Sequence, residues 1–423
     1  MLDGVADIKV YGAPWCPDCK RSKKFLAEHR VPYDWIDIDR DPGDLAYVER
    51  EQNGGRTIPM VVFADGSRLL EPGDDELARK LGLRLEPDES FYDLVIIGGG
   101  PAGLAAAIYA AREGIDTLVV DKGGLGGQAG VTERIDNYPG FPDGVGGGDL
   151  ADRFIAQARR YGVELLSAVE VTAIDVRHAG NGTGQGNDAG VELRLGTGQM
   201  VASHAVLVAT GSSYRRPGVP GEDELIGAGV HFCATCDGPF YRGAKELLVI
   251  GGGNSALEEG LFLKRFAESV RFVEHAPALT ASRLLQDKVA ENPAFTVHLN
   301  TDVVSMSGGG GRLTEVAARD RITGEEFVWH PAAAFVFIGQ SPNSGWLADS
   351  NGGASGVELD RWGFVRTDTA FATSAPGVFA AGDVRAGSTK QLGSAVGDGI
   401  AALIAIRAYL QRHSDMRRLD IND

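Results

Sequence analysis

The sequence predicts an α/β protein built from a small N-terminal module and two doubly wound domains, the second inserted into the first. Three observations predict it. A unit of strand, glycine-rich turn, helix, strand and terminal acid occurs twice. A Cys-x-x-Cys pair near the N-terminus sits between a short strand and a helix. A strand ending in Gly-Asp returns far down the chain, after the second unit.

The bulk numbers set the limits. A chain of 423 residues suggests two to four domains. With 43% hydrophobic and 23% charged residues it can bury ordinary globular cores. Its 59 glycines are about twice the usual share, and many fall in runs after strands, where backbone turns tightly or approaches a ligand. A net charge of −17 argues against nucleic acid or an anionic membrane as partner. No apolar run is expected to reach the ~18 residues of a membrane span. Met1-Leu2-Asp3-Gly4 lacks the basic and apolar regions of a secretory signal. These features predict a cytoplasmic enzyme with reduced thiols.

The four cysteines form two pairs of equal spacing, Cys16-Pro17-Asp18-Cys19 and Cys233-Ala234-Thr235-Cys236, so none is left for structure or metal. Two such pairs suggest a relay in which one dithiol reduces the other. In the first module, Ile8–Tyr11 reads as a strand, Gly12-Ala13-Pro14-Trp15 as a turn, and Cys16 as the opening of a helix to about His29. Strands are expected over 33–38 and 59–63, and a helix near 45–52. Strand, Cys-x-x-Cys, helix, strand is a redox context rather than a zinc one, and no metal site is expected. Cys16 at a helix N-terminus is favoured as a thiolate nucleophile. Lys20, Arg21, Lys23 and Lys24 read either as a solvated face or as support for that thiolate and a docking surface. Pro59, after Thr57-Ile58, opens an apolar strand and is a candidate cis proline that shapes the thiol site.

Residues 84–90 lack periodicity and contain Pro87, which predicts a linker of roughly 20–25 Å when extended that leaves the module, 1–83, tethered but able to move. The strand Tyr92–Ile97 then leads into Gly98-Gly99-Gly100-Pro101-Ala102-Gly103, a helix expected from Leu104, and a strand 117–120 ending at Asp121. Gly98 permits the turn, Gly100 lets a pyrophosphate touch backbone, Gly103 lets helix and strand pack, and Asp121 suits a ribose hydroxyl. The unit repeats as 247–250, Gly251-Gly252-Gly253-Asn254-Ser255-Ala256, a helix, and a strand 270–273 ending at Glu274. The acid lies 18 residues after the third small residue in both. Two dinucleotide sites imply a flavin and a nicotinamide exchanging a hydride.

Trp15-Cys16-Pro17-Asp18-Cys19, Arg56-Thr57-Ile58-Pro59 and Ala64-Asp65-Gly66 resemble the glutaredoxin family, its mycoredoxin-like members most of all, over nearly all of the first 83 residues. That resemblance implies a thioredoxin fold. The family's glycine pair for glutathione is reduced to one glycine in Glu71-Pro72-Gly73-Asp74-Asp75, so glutathione is not carried over. Val378-Phe379-Ala380-Ala381-Gly382-Asp383 resembles the element with which two-dinucleotide flavoproteins hold the FAD ribityl chain, and Ala209-Thr210-Gly211 marks their crossing between domains. The first unit is therefore expected to bind FAD over 91–213 and 340–423, with a nicotinamide domain, 214–339, inserted. Cys233-Ala234-Thr235-Cys236-Asp237-Gly238 resembles the low-molecular-weight thioredoxin reductases over about 91–412. The resemblance implies that Cys236 sits nearer the flavin, Cys233 attacks the partner disulfide and Asp237 handles a proton. Gln128, Asn137, Lys390 and Gln391 match the same pattern as FAD-site residues, and the family implies a homodimer.

The chain departs from NADPH-using relatives where they carry His-Arg-Arg-x-x-x-Arg. It reads Glu274-His275-Ala276-Pro277-Ala278-Leu279-Thr280 instead, an acid at the ribose position without the cations. This predicts NADH over NADPH. Leu284-Leu285-Gln286-Asp287-Lys288 resembles the NADH-using flavoprotein subunit of alkyl hydroperoxide reductase. The resulting expectation is an NADH:disulfide oxidoreductase passing electrons through FAD and Cys233–Cys236 to Cys16–Cys19 and on to low-molecular-weight thiol disulfides, peroxiredoxin or other protein disulfides. Its rivals are a reductase of a separate peroxiredoxin and a redox sensor that does not turn over. His231 reads as a base beside Cys233 or as an ordinary polar neighbour. Gly180–Gly190 and Gly308–Gly311 read as hairpin loops.

Overall fold

The computed structural model describes residues 8–132, 134–135, 137–177, 190–309, 312–348 and 355–420. Most of the two loops expected at 180–190 and 308–311 lies outside the described residues. The chain divides into two compact units, one of 1–134, 138–212 and 342–423, the other of 135–137 and 213–341.

In the first unit the N-terminal module is a four-stranded sheet, ordered β2-β1-β3-β4, from β1 (Ile8–Gly12), β2 (Tyr33–Asp37), β3 (Met60–Val62) and β4 (Arg68–Leu70). β1 and β2 run parallel and the rest antiparallel. Its helices are α1 (Pro17–Glu28), α2 (Pro42–Glu51) and α3 (Asp74–Lys80). Ile8, Val10, Phe25, Leu26, Val61 and Leu77 are buried between sheet and helices, the thioredoxin-type arrangement. Cys16 is the N-cap of α1 rather than its first helical residue: Pro17, whose ring presets a helical φ, takes that place. α2 starts at Pro42, earlier than expected, because the Asp41 carboxylate accepts the Gly43 N–H at 2.8 Å. The sequence reading missed β4 and α3, whose short, charge-rich stretches carry little periodicity.

The rest of the unit is a doubly wound sheet ordered β7-β6-β5-β10-β9-β8, with Val378–Ala380 pairing β10. Its strands are β5 (Phe91–Ile97), β6 (Thr117–Val120), β7 (Glu164–Leu166), β8 (Val171–Arg177), β9 (Gly190–Leu195) and β10 (Met200–Val208). β5, β6, β7, β10 and 378–380 are parallel. α4 (Pro101–Arg112) covers one face with the helix Leu392–Asp420. It begins at Pro101, three residues before the expected Leu104, because Gly100 supplies the N-cap and proline needs no N–H there. Within the terminal helix, Leu392–Arg412 is long and apolar enough to cross a membrane by length and composition. Ala402, Leu403 and Ile406 are buried in the core that α4 shares.

Residues 84–90, expected as a linker, touch the bodies they join. The Asp88 N–H donates to Glu164 at 2.7 Å, Arg84 pairs with Glu164 at 3.5 Å, and Leu85 packs against both cores. Just past α1, the Arg30 guanidinium donates to the Leu125 carbonyl at 2.7 Å and pairs with Asp152 at 2.7 Å. The fit is close: a Cβ on Gly124 would lie 1.8 Å from the Glu28 carbonyl oxygen. This contact is at one end of α1 and Cys16 at the other, about 18 Å away along 12 residues.

In the second unit, five parallel strands run 230–231, 334–336, 244–250, 267–273 and 295–298 in spatial order. An antiparallel three-stranded sheet of 301–308, 313–320 and 326–329 completes it.

Candidate active site

Cys16 and Cys19 are free thiols in the N-terminal module. The Cys19 N–H donates to Cys16 Sγ at 3.2 Å, at the positive end of α1 where negative charge is stabilised. Cys16 Sγ lies 3.8 Å from the Ile58 carbonyl oxygen, next to the cis Ile58–Pro59 peptide. Cys19 is deeper, packed against Gly12 and Trp35. A Cβ on Gly12 would sit 2.5 Å from Cys19 Sγ and 2.9 Å from the Trp35 ring, an overpacking of the kind that costs about 1–3 kcal/mol. Burial first, then the bond to Cys16, pushes the Cys19 thiol up to about 12. Trp15, 70% exposed, flanks the pair with its indole donating to Asp39 at 2.9 Å. Of the four cations on α1, three have local partners: Arg21 with Asp18, Asp74 and the Pro72 carbonyl, Lys23 over Trp35, and Lys24 with Glu28.

The thiol geometry sets an order of reactivity. In reduced protein at pH 7–9, Cys19 lies well below its titration point and stays a thiol, so iodoacetamide is expected to label Cys16 and spare Cys19. Peptide mapping after brief alkylation checks this, and labelling of Cys19 first would overturn it.

The first glycine-rich turn has the shape of a dinucleotide cradle. Gly98 has φ +113°, and a Cβ there would meet the Ala209 carbonyl oxygen at 2.3 Å. A Cβ on Gly103 would lie 1.9 Å from the Gly98 carbonyl, whereas one on Gly100 meets nothing within 4 Å, which leaves the approach a pyrophosphate needs. Asp121 takes the Gly99 N–H at 2.6 Å and the Gly123 N–H at 2.7 Å. Burial nevertheless drives its carboxyl up. The fold also gathers distant pieces here. Gly127 abuts Gly100, Gln128 bonds the Ser212 carbonyl, and Gly382 packs on Ala102. Thr210 Oγ1 donates to the Asn343 carbonyl at 2.7 Å, and Asn343 returns a bond to Thr210 at 2.8 Å. Asp383 accepts Ser388 Oγ at 3.0 Å, and Lys390 Nζ bonds the Asp383 carbonyl oxygen. Burial raises the Asp383 carboxyl against the pull of Lys390. Gln391 ends the loop before the terminal helix and accepts the Ala395 N–H at 2.9 Å. Asn137 is grouped with the other unit. The residues of the first unit fit FAD.

The second turn repeats the design. Gly251 has φ +130°, and a Cβ there would lie 2.4 Å from the Phe337 carbonyl oxygen and 3.3 Å from Ala256. Gly253 caps the helix Asn254–Leu263, whose Ser255 lies in the first turn, and Asn254 Oδ1 accepts the Ser282 N–H at 2.7 Å. Glu274 is fixed over the loop: Oε1 accepts the Ala276 N–H at 2.8 Å, and a Cβ on Gly252 would be 2.5 Å from Oε2. Sequence reasoning missed one neighbour. Arg321, from the turn after 313–320, donates to the His275 carbonyl at 3.2 Å and lies 3.5 Å from Asp302, itself 2.5 Å from His275. Its proximity follows from strand register, so no local signal announces it. Arg271, by contrast, is held by Glu246 at 2.8 Å and stacks 5.0 Å over Trp329, and Arg283 pairs with Asp287 at 2.9 Å.

The second cysteine pair opens the short helix Ala234–Asp237. Cys233 is in a disulfide, and its carbonyl accepts the Asp237 N–H at 3.1 Å. The side chain of Cys236 lies outside the described atoms. Asp237 Oδ2 is 3.5 Å from His231 Nδ1.

Comparison with known proteins agrees with this geometry. The family of pyridine nucleotide-disulphide oxidoreductases matches residues 92–399, and the glutaredoxin family matches 8–68. The NADPH-dependent thioredoxin reductase 3 of Arabidopsis thaliana is 38% identical over 332 residues, 76% of this chain and 59% of that one. The bifunctional thioredoxin reductase/thioredoxin of Mycobacterium leprae is 37% identical over 330 residues, 77% of this chain and 67% of its own. The crystal structure of thioredoxin reductase from Streptococcus pyogenes superposes with a TM-score of 0.68 at 33% identity, covering 76% of this chain and 99% of that one. The chain belongs to the pyridine nucleotide-disulphide oxidoreductases, enzymes that use FAD and a nicotinamide. Within them it is thioredoxin reductase-like and carries an N-terminal glutaredoxin-type domain.

Proposed function

We propose that the protein is an NADH-dependent disulfide reductase that serves its own carrier. In this reading, electrons from NADH reach the Cys233–Cys236 pair, pass to Cys16–Cys19, and leave through Cys16 to external disulfides. The observation that carries it is the presence in one chain of a reductase disulfide and a glutaredoxin-type pair of free thiols. The Mycobacterium leprae relative, named as a reductase and thioredoxin together, supports such a fusion. The carboxylate of Glu274, fixed at the position of the ribose acid, supports NADH.

When bound, FAD supplies two-electron exchange between nicotinamide and disulfide. The chain does the rest. Gly98, Gly100 and Gly103 admit the pyrophosphate, and Asp121 and Glu274 take ribose hydroxyls. Cys233 forms the mixed disulfide with the carrier, and Asp237 takes and returns its proton. Cys16 attacks the target while Cys19 waits as a buried thiol. A tether that lets the pairs meet supplies an effective concentration of order mM, so weak affinity suffices.

The test counts thiols. Oxidised holoenzyme, with both pairs as disulfides, is mixed anaerobically with excess NADH, quenched in acid and alkylated. Labelling of all four cysteines is expected. Labelling of Cys233 and Cys236 alone would show that electrons stop before the carrier.

A further inference from the structure

His231 has a partner on each side of its ring. Nε2 is 2.6 Å from the Tyr241 hydroxyl and Nδ1 is 3.5 Å from the Asp237 carboxylate. The ring is 7% exposed and packs against Phe335, with centroids 5.3 Å apart. The trio is local: His231 ends the strand 230–231, Cys233 follows two residues later, and Asp237 and Tyr241 lie on the next two helical turns.

The Asp237 carboxylate only accepts, so the nitrogen that faces it carries the proton and Nε2 is left to accept from Tyr241. Burial first, then the charge of Asp237, pushes the Tyr241 phenol up to about 12 against the opposing pull of Arg312, so at neutral pH it keeps a proton to donate. When its hydroxyl donates to Nε2, the proton of the neutral imidazole must sit on Nδ1, the nitrogen that faces Asp237. A separation of 3.5 Å is an ion-pair distance rather than a closed hydrogen bond. Such contacts are often loose before substrate arrives and tighten in the reacting complex.

We infer that His231, oriented by Tyr241, is a positioning residue for disulfide exchange: its Nδ1–H holds the Asp237 carboxylate as the proton acceptor for Cys233. With the pair reduced, the Cys233 thiol gives its proton to Asp237. Its sulfur bonds to the nearer sulfur of the incoming disulfide, whose S–S bond breaks with the electron pair leaving on the distal sulfur. That thiolate takes the proton back from Asp237. The second cysteine then attacks the Cys233 sulfur, the Cys233–substrate bond breaks with its electron pair on the substrate sulfur, and the proton of the second cysteine passes to that sulfur, so the incoming disulfide leaves as two thiols as the dithiol is oxidised. The inference rests on the reading of Cys233 as the attacking thiol.

The experiment uses full-length holoenzyme, NADH and DTNB as the disulfide, with flavin bleaching by NADH followed separately by stopped flow. Tyr241→Phe removes one hydroxyl and keeps the ring. His231→Asn retains an amide N–H near the place of Nδ1, whereas His231→Gln carries it towards Nε2. Tyr241→Phe and His231→Gln are expected to slow DTNB reduction about tenfold or more, a part of the usual worth of a proton acceptor, with bleaching unchanged. His231→Asn is expected to stay within about threefold of wild type. Equal losses in the Asn and Gln variants, wild-type rates in all three, or bleaching that falls in step would each overturn the inference. Cys233→Ser separates the two levels: if it keeps the wild-type rate, the underlying reading fails, and if it alone is inactive, only the role of His231 fails.

Discussion

A Cys16→Ser variant is expected to keep NADH-driven bleaching of its flavin and to lose reduction of protein mixed disulfides by at least about a hundredfold, the usual cost of removing a nucleophile. Cys19 cannot replace the lost sulfur. Its thiol is 1% exposed and pushed up to about 12, so near neutral pH fewer than about one in ten thousand are thiolate. Cys233→Ser is expected to have the complementary defect: NADH still bleaches the flavin, and the Cys16–Cys19 disulfide stays oxidised. Stopped-flow absorbance and alkylation of quenched samples measure both. Mixed-disulfide reduction at the wild-type rate by Cys16→Ser would mean that the Cys233 pair meets targets directly and that the module has another role.

Coenzyme choice is the second large effect. NADH is expected to be favoured over NADPH by at least roughly tenfold in kcat/KM, which corresponds to about 1.4 kcal/mol. Glu274 is held in place by the Ala276 amide, and in the proposed reading it would meet the ribose as a fixed carboxylate that suits two hydroxyls and repels a phosphate. Arg271 and Arg283, the arginines that flank this segment in sequence, are paired with Glu246 and Asp287. Arg321 stands by His275, yet Asp302 faces both. Glu274→His combined with His275→Arg and Ala276→Arg is expected to move preference towards NADPH. Steady-state kinetics with both coenzymes decide it. Equal use would make Glu274 a solvated strand end, and a natural preference for NADPH would mean that Arg321 turns to the 2′-phosphate.

The parts legible in the sequence were those encoded within a few residues. The two glycine-rich turns, their acids and the Cys-x-x-Cys pairs are local because one turn and one helix N-terminus do the chemistry. The helix starts at Pro17, Pro42 and Pro101 illustrate the limit. Periodicity located the helices, while proline and cap geometry decided where they begin.

By itself, then, the sequence determined the class of enzyme, the α/β architecture with its inserted domain, and the residue types at each turn. Tertiary structure alone decided what lies beside them. It placed Trp35 and Gly12 around the Cys19 sulfur, Arg321 next to His275, and Arg30 on Leu125 and Asp152 with Cys16 at the far end of the same helix. The reason is physical: those contacts join residues as far as 122 positions apart. Their energies depend on burial and register, which arise only once the sheets have formed.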